Sequence, residues 1–172
     1  MSIAHKKSKT QKIQKKDNFK TTKKSHKTNS TNSTNSTNSI LLPYLQEYIK
    51  NTSSTWNYIT PHDFYHNYYK TNKLKEIFLI DLRDKSEYKK GHIKGAHNIF
   101  WLDLLKPKNL SKLPKDKQIF LICYVGHTSS QAMVLLKLLG YKVVSIKFGY
   151  GISPVFEVPI AGWTNYNYPI SK

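Results

Sequence analysis

Three short apolar runs divide the central part of the chain into alternating strand-like and helix-like segments. They occupy residues 77–81, 119–122 and 143–146 and are rich in β-branched and aromatic side chains. Apolar runs of this length are typical of strands covered on both faces. A strand with one solvent-exposed face instead alternates apolar and polar residues. Strands that alternate with helical segments at this spacing predict an α/β domain with a parallel sheet.

The segment after the second run changes to the period of a helix. Its apolar residues follow the i, i+3, i+4, i+7 spacing of one helix face. They are Ala132, Leu135, Leu136 and Leu139, and Gly140 follows as a residue suited to end the helix. Weaker patterns predict helices over residues 40–50, 60–69 and 85–90, strands over 56–59 and 98–101, and a loop over 107–117.

The start of the chain has a different composition. Residues 1–39 contain almost no apolar side chains and end in the repeat TNSTNSTNSTNS. Such a segment cannot bury enough surface to offset the entropy of ordering. We therefore predict a disordered tail over residues 1–39, a linker with a short helix over 40–55, and one domain over 56–172. Pro43 is placed near the first turn of that short helix, where proline is tolerated.

Half of the net charge lies in the tail. Ten lysines against Asp17 give residues 1–39 a charge of +9, which leaves 18 − 9 = +9 for the remainder. We favour a solvated tail. Binding to nucleic acid or to an anionic surface is the alternative, although only Phe19 interleaves with the lysines, so a base-stacking surface is not indicated. No apolar run approaches the ~20 residues of a membrane-spanning helix, so no membrane span is expected.

Cys123 is the only cysteine. A disulfide within the chain is therefore impossible, which fits a reducing compartment and indicates a cytoplasmic protein. Organellar targeting by the tail stays open, because the tail is basic and poor in acidic residues, although it lacks the arginines usual in transit peptides. We expect no cofactor.

The histidines are not interpreted as metal ligands. His62 and His66 have i, i+4 spacing, but no third ligand is near them in sequence, so an aromatic helix face is the preferred interpretation. His92 and His97 are interpreted as residues of a hydrogen-bonded turn. No metal site is predicted.

Cys123 occupies the position in which a cysteine is best placed to react. It follows an interior strand and precedes a helix, and ligands of parallel sheets bind at the carboxyl ends of strands. The unpaired N–H groups of a helix N-terminus favour an anion, so a thiol there ionises more readily than a free one. Gly126 permits the positive φ of a loop curled around the sulfur. Loop amides, with the hydroxyls of Thr128 and Ser129, can surround a nucleophilic thiolate.

Three segments resemble the rhodanese (sulfurtransferase) family. The six residues CYVGHT are similar to the family's active-site loop, which begins with the catalytic cysteine. IFLIDLRDKSEYKKGHIKGAHNI resembles the family's first motif, with Asp-x-Arg and Gly-His-Ile-x-Gly-Ala, and AGWTNYNYPI resembles its C-terminal segment. The resemblance covers roughly residues 56–170. It implies a single rhodanese-like domain, with a central parallel sheet of about five strands and helices on both faces.

The resemblance also implies an activity. A sulfurtransferase of this family moves a sulfane sulfur from a donor such as thiosulfate to a thiophilic acceptor through a cysteine persulfide, here on Cys123. A small sulfur donor and a thiol acceptor are the expected partners, and the acceptor thiol is external because no second cysteine is present. The implied substrate-binding residues are those that cradle the persulfide: Tyr124, Val125, Gly126, His127, Thr128 and Ser129.

One position departs from the family pattern. Many members end the loop in arginine, whereas this chain has Thr128, and its sole arginine is Arg83. The alternative function is therefore a non-catalytic rhodanese-like module that binds a partner or senses redox state. A cysteine phosphatase is the least favoured possibility, since that chemistry requires a larger loop closed by an arginine.

Asp81 is the last residue of the predicted strand 77–81, and Arg83 follows it by two residues, before the predicted helix 85–90. Two interpretations are open. In one, either side chain lies at the rim of the site. In the other, Arg83 is structural and pairs with Asp84 or Glu87.

Overall fold

A five-stranded parallel sheet forms the centre of the structure. The computed structural model describes residues 31–52, 56–151 and 161–172. Its strands are β1 (Tyr58–Ile59), β2 (Ile77–Asp81), β3 (His97–Asn98), β4 (Gln118–Ile122) and β5 (Val143–Ile146). Their order across the sheet is β1-β5-β4-β2-β3, and every neighbouring pair is parallel. This arrangement confirms the predicted α/β fold.

Helices cover both faces of the sheet. They are α2 (Pro61–Phe64), α3 (Lys85–Lys90), α4 (Pro107–Leu110) and α5 (His127–Leu138). A further helix, α1 (Thr31–Lys50), packs near the end of α5. Ile119 and Leu121 of β4 belong to a core cluster that includes the buried side of α5. Phe120 belongs to a second cluster with Phe64 of α2 and Trp163. Because successive side chains of a strand point to opposite faces, β4 contributes to both clusters.

The predicted elements agree best with the structure at the centre of the sheet. β2, β5 and α3 coincide with the predicted segments, and α5 begins at His127. The edge strands β1 and β3 are shorter than residues 56–59 and 98–101, and α4 lies within the predicted loop 107–117. Each edge strand pairs with one neighbour only. Its ends are therefore set by that single pairing and are weakly marked in the local sequence.

Helix α1 is longer than predicted. It begins at Thr31 rather than at residue 40, so residues 31–39 of the predicted tail are helical in the structure and Pro43 lies inside the helix. Asn, Ser and Thr favour caps and turns over helix interiors, so no local propensity indicates this extension. Residues 1–30 lie outside the described part of the chain. The disorder predicted for them and the domain boundaries at 39/40 and 55/56 stay predictions.

None of the helices in the described residues combines the length and apolar character needed to cross a bilayer.

Candidate active site

Cys123 lies where β4 ends and α5 is about to begin. β4 is the middle strand of the sheet, between β5 and β2. The loop from Cys123 turns at Gly126, whose φ of +93° lies in the left-handed region, and α5 starts at the next residue. A Cβ at Gly126 would lie 3.1 Å from the backbone nitrogen of Phe148. Glycine therefore serves both the turn and the close approach of a second loop.

Three hydrogen-bonding groups converge on the sulfur of Cys123. The backbone N–H of Gly126 lies 3.1 Å from Sγ and that of Ser129 lies 3.4 Å from it. The Ser129 hydroxyl oxygen is 3.3 Å from Sγ. The cysteine side chain is 1% exposed. Two amides at the start of α5 therefore point at a buried sulfur, an arrangement that stabilises negative charge on it.

A second buried hydroxyl extends this network. Ser145 of β5 donates to the Ser129 oxygen at 2.9 Å, and both serines are fully buried. The Ser129 hydroxyl can donate to the Gly126 carbonyl, 3.1 Å away, or turn its proton to an anionic Sγ. Ser145 was not among the residues identified from the sequence. The feature of the sequence that could have indicated it is that Ser145 is the one polar residue in the otherwise apolar run 143–146.

The other predicted loop residues, all of which the structure describes, make no hydrogen bond to the sulfur. Within the described part of the chain, Gly126 and Ser129 supply the hydrogen bonds to Sγ, and the Tyr124 hydroxyl donates instead to Asp84. Val125 and Thr128 are half-buried, and His127 is exposed.

The turn after β5 closes on this loop. The Tyr150 N–H donates to the Cys123 carbonyl at 2.7 Å, and the Gly151 N–H donates to the Tyr124 carbonyl at 2.9 Å. Gly149 has a φ of +53°, and a Cβ there would collide with the Cys123 carbonyl oxygen. Residues 148–151 are thus a backbone clamp that holds the start of the loop.

Arg83 pairs with Asp81, so the predicted pairing with Asp84 or Glu87 is wrong. Its Nη2 donates to Asp81 Oδ2 at 2.6 Å and to the Gly91 carbonyl at 2.7 Å, and its Nε lies 3.0 and 3.1 Å from the two carboxylate oxygens. The guanidinium carbon also lies 3.7 Å from the ring centroid of Tyr150. Asp84 is occupied elsewhere, because it accepts from the first amides of α3.

The burial of this pair favours its structural role. Asp81 is 0% exposed and Arg83 is 2% exposed. The Arg83 guanidinium packs against the ring of Tyr150, and the Tyr150 N–H donates to the Cys123 carbonyl. A direct role for either residue at the rim of the site stays a prediction.

Tyr124 links the loop to the start of α3 through Asp84. The Asp84 carboxylate accepts from the Ser86 hydroxyl at 2.6 Å and from the Glu87 N–H at 3.0 Å, besides the Tyr124 hydroxyl. These hydrogen bonds hold the pKa of Asp84 well below its usual range. The largest effect comes from the Ser86 hydroxyl, followed by the Tyr124 hydroxyl and the Glu87 amide. Burial, followed by the bond to Asp84, raises the pKa of Tyr124 to about 12.

We expect Tyr124→Phe to flatten the alkaline loss of stability. In the folded wild type the pKa of Tyr124 is raised from 10.0 to about 12. Its contribution to stability is thus complete below pH 10 and is lost as the pH rises through about 12. Urea unfolding at mildly and strongly alkaline pH should show a smaller decline for Tyr124→Phe than for the wild type. Tyr166→Phe, which removes an exposed hydroxyl, is the control. An equal decline in all three proteins would contradict this link.

The four histidines considered above as metal ligands contact aromatic rings or backbone groups. His92 Nδ1 lies 3.0 Å from the Tyr88 carbonyl and its ring stacks on Tyr88, which agrees with the predicted turn. His97 is the first residue of β3 rather than a turn residue, so its predicted placement is wrong, and its ring stacks on Phe78. The His62 and His66 rings lie 4.4 Å apart on the exposed side of the α2 region. Across the described residues, no three His, Cys, Asp or Glu side chains form a group able to hold a metal.

A shallow depression opens beside the cysteine loop. Its volume is about 270 Å³, and it is lined by Tyr58, Val125, Gly126, His127, Ser130, Lys147 and Phe148. Lys147 directly follows β5, and its side chain is exposed. The depression is therefore lined by the positively charged side chain of Lys147, although the loop itself lacks the arginine seen in many rhodanese sequences. This lysine was not identified from the sequence, because it becomes a neighbour of the loop only through strand pairing.

Comparison with known proteins assigns the chain to a family. A model of the Rhodanese-like domain family matches residues 60–151, over half of the chain. The chain is 32% identical over 79 residues to the thiosulfate sulfurtransferase GlpE of Tolumonas auensis, a match that covers 45% of this chain and 73% of that protein. It is 35% identical over 65 residues to the adenylyltransferase and sulfurtransferase uba4 of Ogataea parapolymorpha, covering 38% of this chain and 16% of that longer protein.

A solved structure extends the comparison to three dimensions. The crystal structure of a rhodanese-related protein from Thermoplasma volcanium superposes with a TM-score of 0.51 at 26% identity, and the match covers 66% of this chain and 95% of that one. GlpE and uba4 are named as sulfurtransferases, and the family match spans the first motif, the cysteine loop and the turn after β5. The chain therefore belongs to the rhodanese-like domain family.

Proposed function

We propose that this protein is a sulfurtransferase that carries a sulfane sulfur as a persulfide on Cys123. The observation that carries the proposal is the convergence of two backbone N–H groups and one hydroxyl on the Cys123 sulfur. Such donors stabilise the thiolate that attacks and the anionic persulfide that results. The names of its relatives support the same reaction class.

In the first step the Cys123 thiolate attacks the outer sulfur of a donor such as thiosulfate. The new bond joins Sγ to that sulfur, the sulfur–sulfur bond of thiosulfate breaks, and sulfite leaves with the electron pair. No proton or external electron is required. The N–H groups of Gly126 and Ser129 already point at Sγ in the folded protein, so they are placed to stabilise the charge with little reorganisation.

In the second step an acceptor nucleophile attacks the outer sulfur of the persulfide. Cyanide forms thiocyanate, and a thiolate forms a new persulfide on the acceptor; in each case the Cys123 thiolate is released. Because Cys123 is the only cysteine, the acceptor is an external molecule. A reducing, cytoplasmic compartment supplies such thiols and keeps Cys123 free, which is the setting that we propose.

The depression beside the loop suits a small anionic donor. Lys147 provides a positive charge in the depression, and Ser130 and the exposed His127 provide polar groups. The chain has a net charge of +18, which attracts anions toward any of its clefts and makes their capture dependent on salt. We propose that these residues, with the loop amides from Tyr124 to Ser129, receive the donor in place of a loop arginine.

The test is the intact mass of the protein before and after thiosulfate, followed by cyanide. We expect a gain of one sulfur atom that cyanide removes as thiocyanate. A folded protein with a free thiol that gains no sulfur from thiosulfate or from a persulfide donor would instead support the binding-module alternative, which rests on Thr128 at the end of the loop. Turnover of an aryl phosphate would indicate a phosphatase.

A further inference from the structure

Helix α1 presents an apolar stripe to solvent. Leu42, Leu45 and Ile49 follow the i, i+3, i+7 spacing of one helix face, and Leu41 flanks them. Their exposed fractions are 46% for Leu41, 52% for Leu42, 36% for Leu45 and 70% for Ile49. We call these residues the α1 stripe. Single exposed apolar residues are common, but four on one side of a helix form a surface with an unfavourable contact with water.

The α1 stripe lies mainly to one side of the helix face that packs near α5, and Leu41 borders that face. Tyr44, Tyr48 and Asn51 occur at i, i+4, i+7 and line a cleft of about 310 Å³ between α1 and the end of α5. At 100° per residue, the mean direction of the stripe is about 110° from the mean direction of these three residues. The packing of α1 on the domain therefore leaves the stripe uncovered.

The charge of the chain distinguishes among the possible occupants of this surface. A second copy of the chain would bring another +18 charge into contact with the first, which opposes self-association through the stripe. Nucleic acid would pair with the lysines, but its charged phosphates make no favourable contact with aliphatic side chains. An anionic lipid surface satisfies both features, because it accepts apolar side chains below its headgroups and attracts basic segments.

We propose that the α1 stripe docks on an anionic phospholipid surface. Ten lysines precede the stripe within residues 1–39, against the single acidic residue Asp17, and the rest of the chain adds a further +9. One short apolar stripe binds a membrane weakly and reversibly, and a nearby basic segment supplies the second attraction that stable binding requires. The helix lies in the plane of the interface and does not cross it.

This orientation leaves the cysteine loop accessible. α1 packs near Lys137 and Leu138 in the last turn of α5, whereas the loop joins the first turn at His127. With a rise of 1.5 Å per residue, these ends of α5 are separated by roughly 15 Å. A membrane-docked protein can therefore still exchange small molecules at Cys123. The docking proposal does not depend on the reaction proposed for that site.

The experiment is sedimentation of the full-length protein with vesicles of phosphatidylcholine, with or without phosphatidylserine. We expect binding only when phosphatidylserine is present, and loss of binding at high salt. Leu45→Asp and Ile49→Asp should each weaken binding by about tenfold or more, because each withdraws one large aliphatic side chain from lipid. Leu102→Asp is the matched control, since Leu102 is 70% exposed but lies outside α1; it should bind as the wild type does.

Three outcomes would overturn the proposal. The first is no binding to the phosphatidylserine vesicles. The second is equal binding by the wild type and both stripe variants, which would assign the interaction to charge alone. The third is a wild-type dimer in ultracentrifugation that the stripe variants convert to monomer, which would assign the stripe to a second copy. Persulfide formation by Leu45→Asp should equal that of the wild type, so a failure of docking is distinct from a failure of the sulfur-transfer proposal.

Discussion

Cys123→Ser will abolish both persulfide formation and the production of thiocyanate from thiosulfate and cyanide. The loss should be complete rather than graded, because the sulfur atom of Cys123 is itself the carrier and a serine hydroxyl cannot hold a sulfane sulfur. The hydroxyl is smaller than the thiol and can still accept from the Gly126 and Ser129 amides. We therefore expect the variant to fold as the wild type does. Intact mass spectrometry and a thiocyanate assay measure the two losses.

Cys123→Ala provides the companion variant for this experiment. It removes the polar atom altogether, so an identical loss in both variants assigns the chemistry to sulfur rather than to a perturbed loop. Circular dichroism and urea unfolding should show that both variants are folded. Thiocyanate production at the wild-type rate by folded Cys123→Ser would contradict the proposed mechanism, because no other thiol exists in the chain.

Arg83→Ala will strongly destabilise the fold. Arg83 is 2% exposed and Asp81 0% exposed, and at least three of their N–O distances are 3.1 Å or less. Removing one partner of a buried ion pair leaves an uncompensated charge and typically costs about 3–5 kcal/mol. The substitution also removes the bond to the Gly91 carbonyl and the contact with the Tyr150 ring. Urea unfolding at neutral pH measures the change in the free energy of unfolding.

Two comparisons separate burial from charge in this effect. Lys90→Ala breaks an ion pair with Glu87 whose lysine side chain is 72% exposed, and such pairs contribute little, so its unfolding curve should overlay that of the wild type. A double variant, Asp81→Leu with Arg83→Met, should recover much of the stability lost in Arg83→Ala, because apolar replacements leave no buried charge. An Arg83→Ala curve that matches Lys90→Ala would show that the pair contributes little to folding.

The effect of Arg83→Ala should reach the cysteine loop as well. The Tyr150 ring lies against the guanidinium, and the Tyr150 N–H donates to the Cys123 carbonyl. Loss of the guanidinium removes one support of the clamp formed by residues 148–151. The folded fraction of Arg83→Ala should therefore load sulfur more slowly than the wild type, whereas Lys90→Ala should load it at the same rate.

Local patterns were sufficient for the central elements of the fold. β2 and β5 coincide with the predicted apolar runs, and β4 begins one position before its predicted start. These strands are covered on both faces, so most of their residues are apolar and the runs are visible in the sequence. The edge strands were less well predicted, because each pairs with one neighbour and local composition does not mark its ends. Helix α4 lies in a segment that was predicted to be a loop. The helical residues 31–39 have a composition that favours turns, so their conformation had no local signal.

The same division applies to the site. The position of Cys123 between a strand and a helix follows from the order of residues, since parallel strands place their carboxyl ends at one edge and a helix N-terminus offers unpaired amides. The partner of Arg83 and the roles of Ser145 and Lys147 do not follow from it. The roles of Ser145 and Lys147 depend on which strands pair, because β5 lies next to β4 only in the folded sheet. The pairing of Arg83 with Asp81, two residues earlier, depends on the burial of both side chains.

By itself the sequence determined the α/β class, the central strands and the place of the single cysteine, because these properties are encoded in the apolar runs and their immediate neighbours. Only the tertiary structure decided what surrounds that cysteine. It placed the hydroxyl of Ser145 behind Ser129 and buried Arg83 against Asp81. Each of these contacts joins residues from different elements or depends on burial in the fold. Such contacts form when strands pair and side chains lose water, which no local pattern specifies.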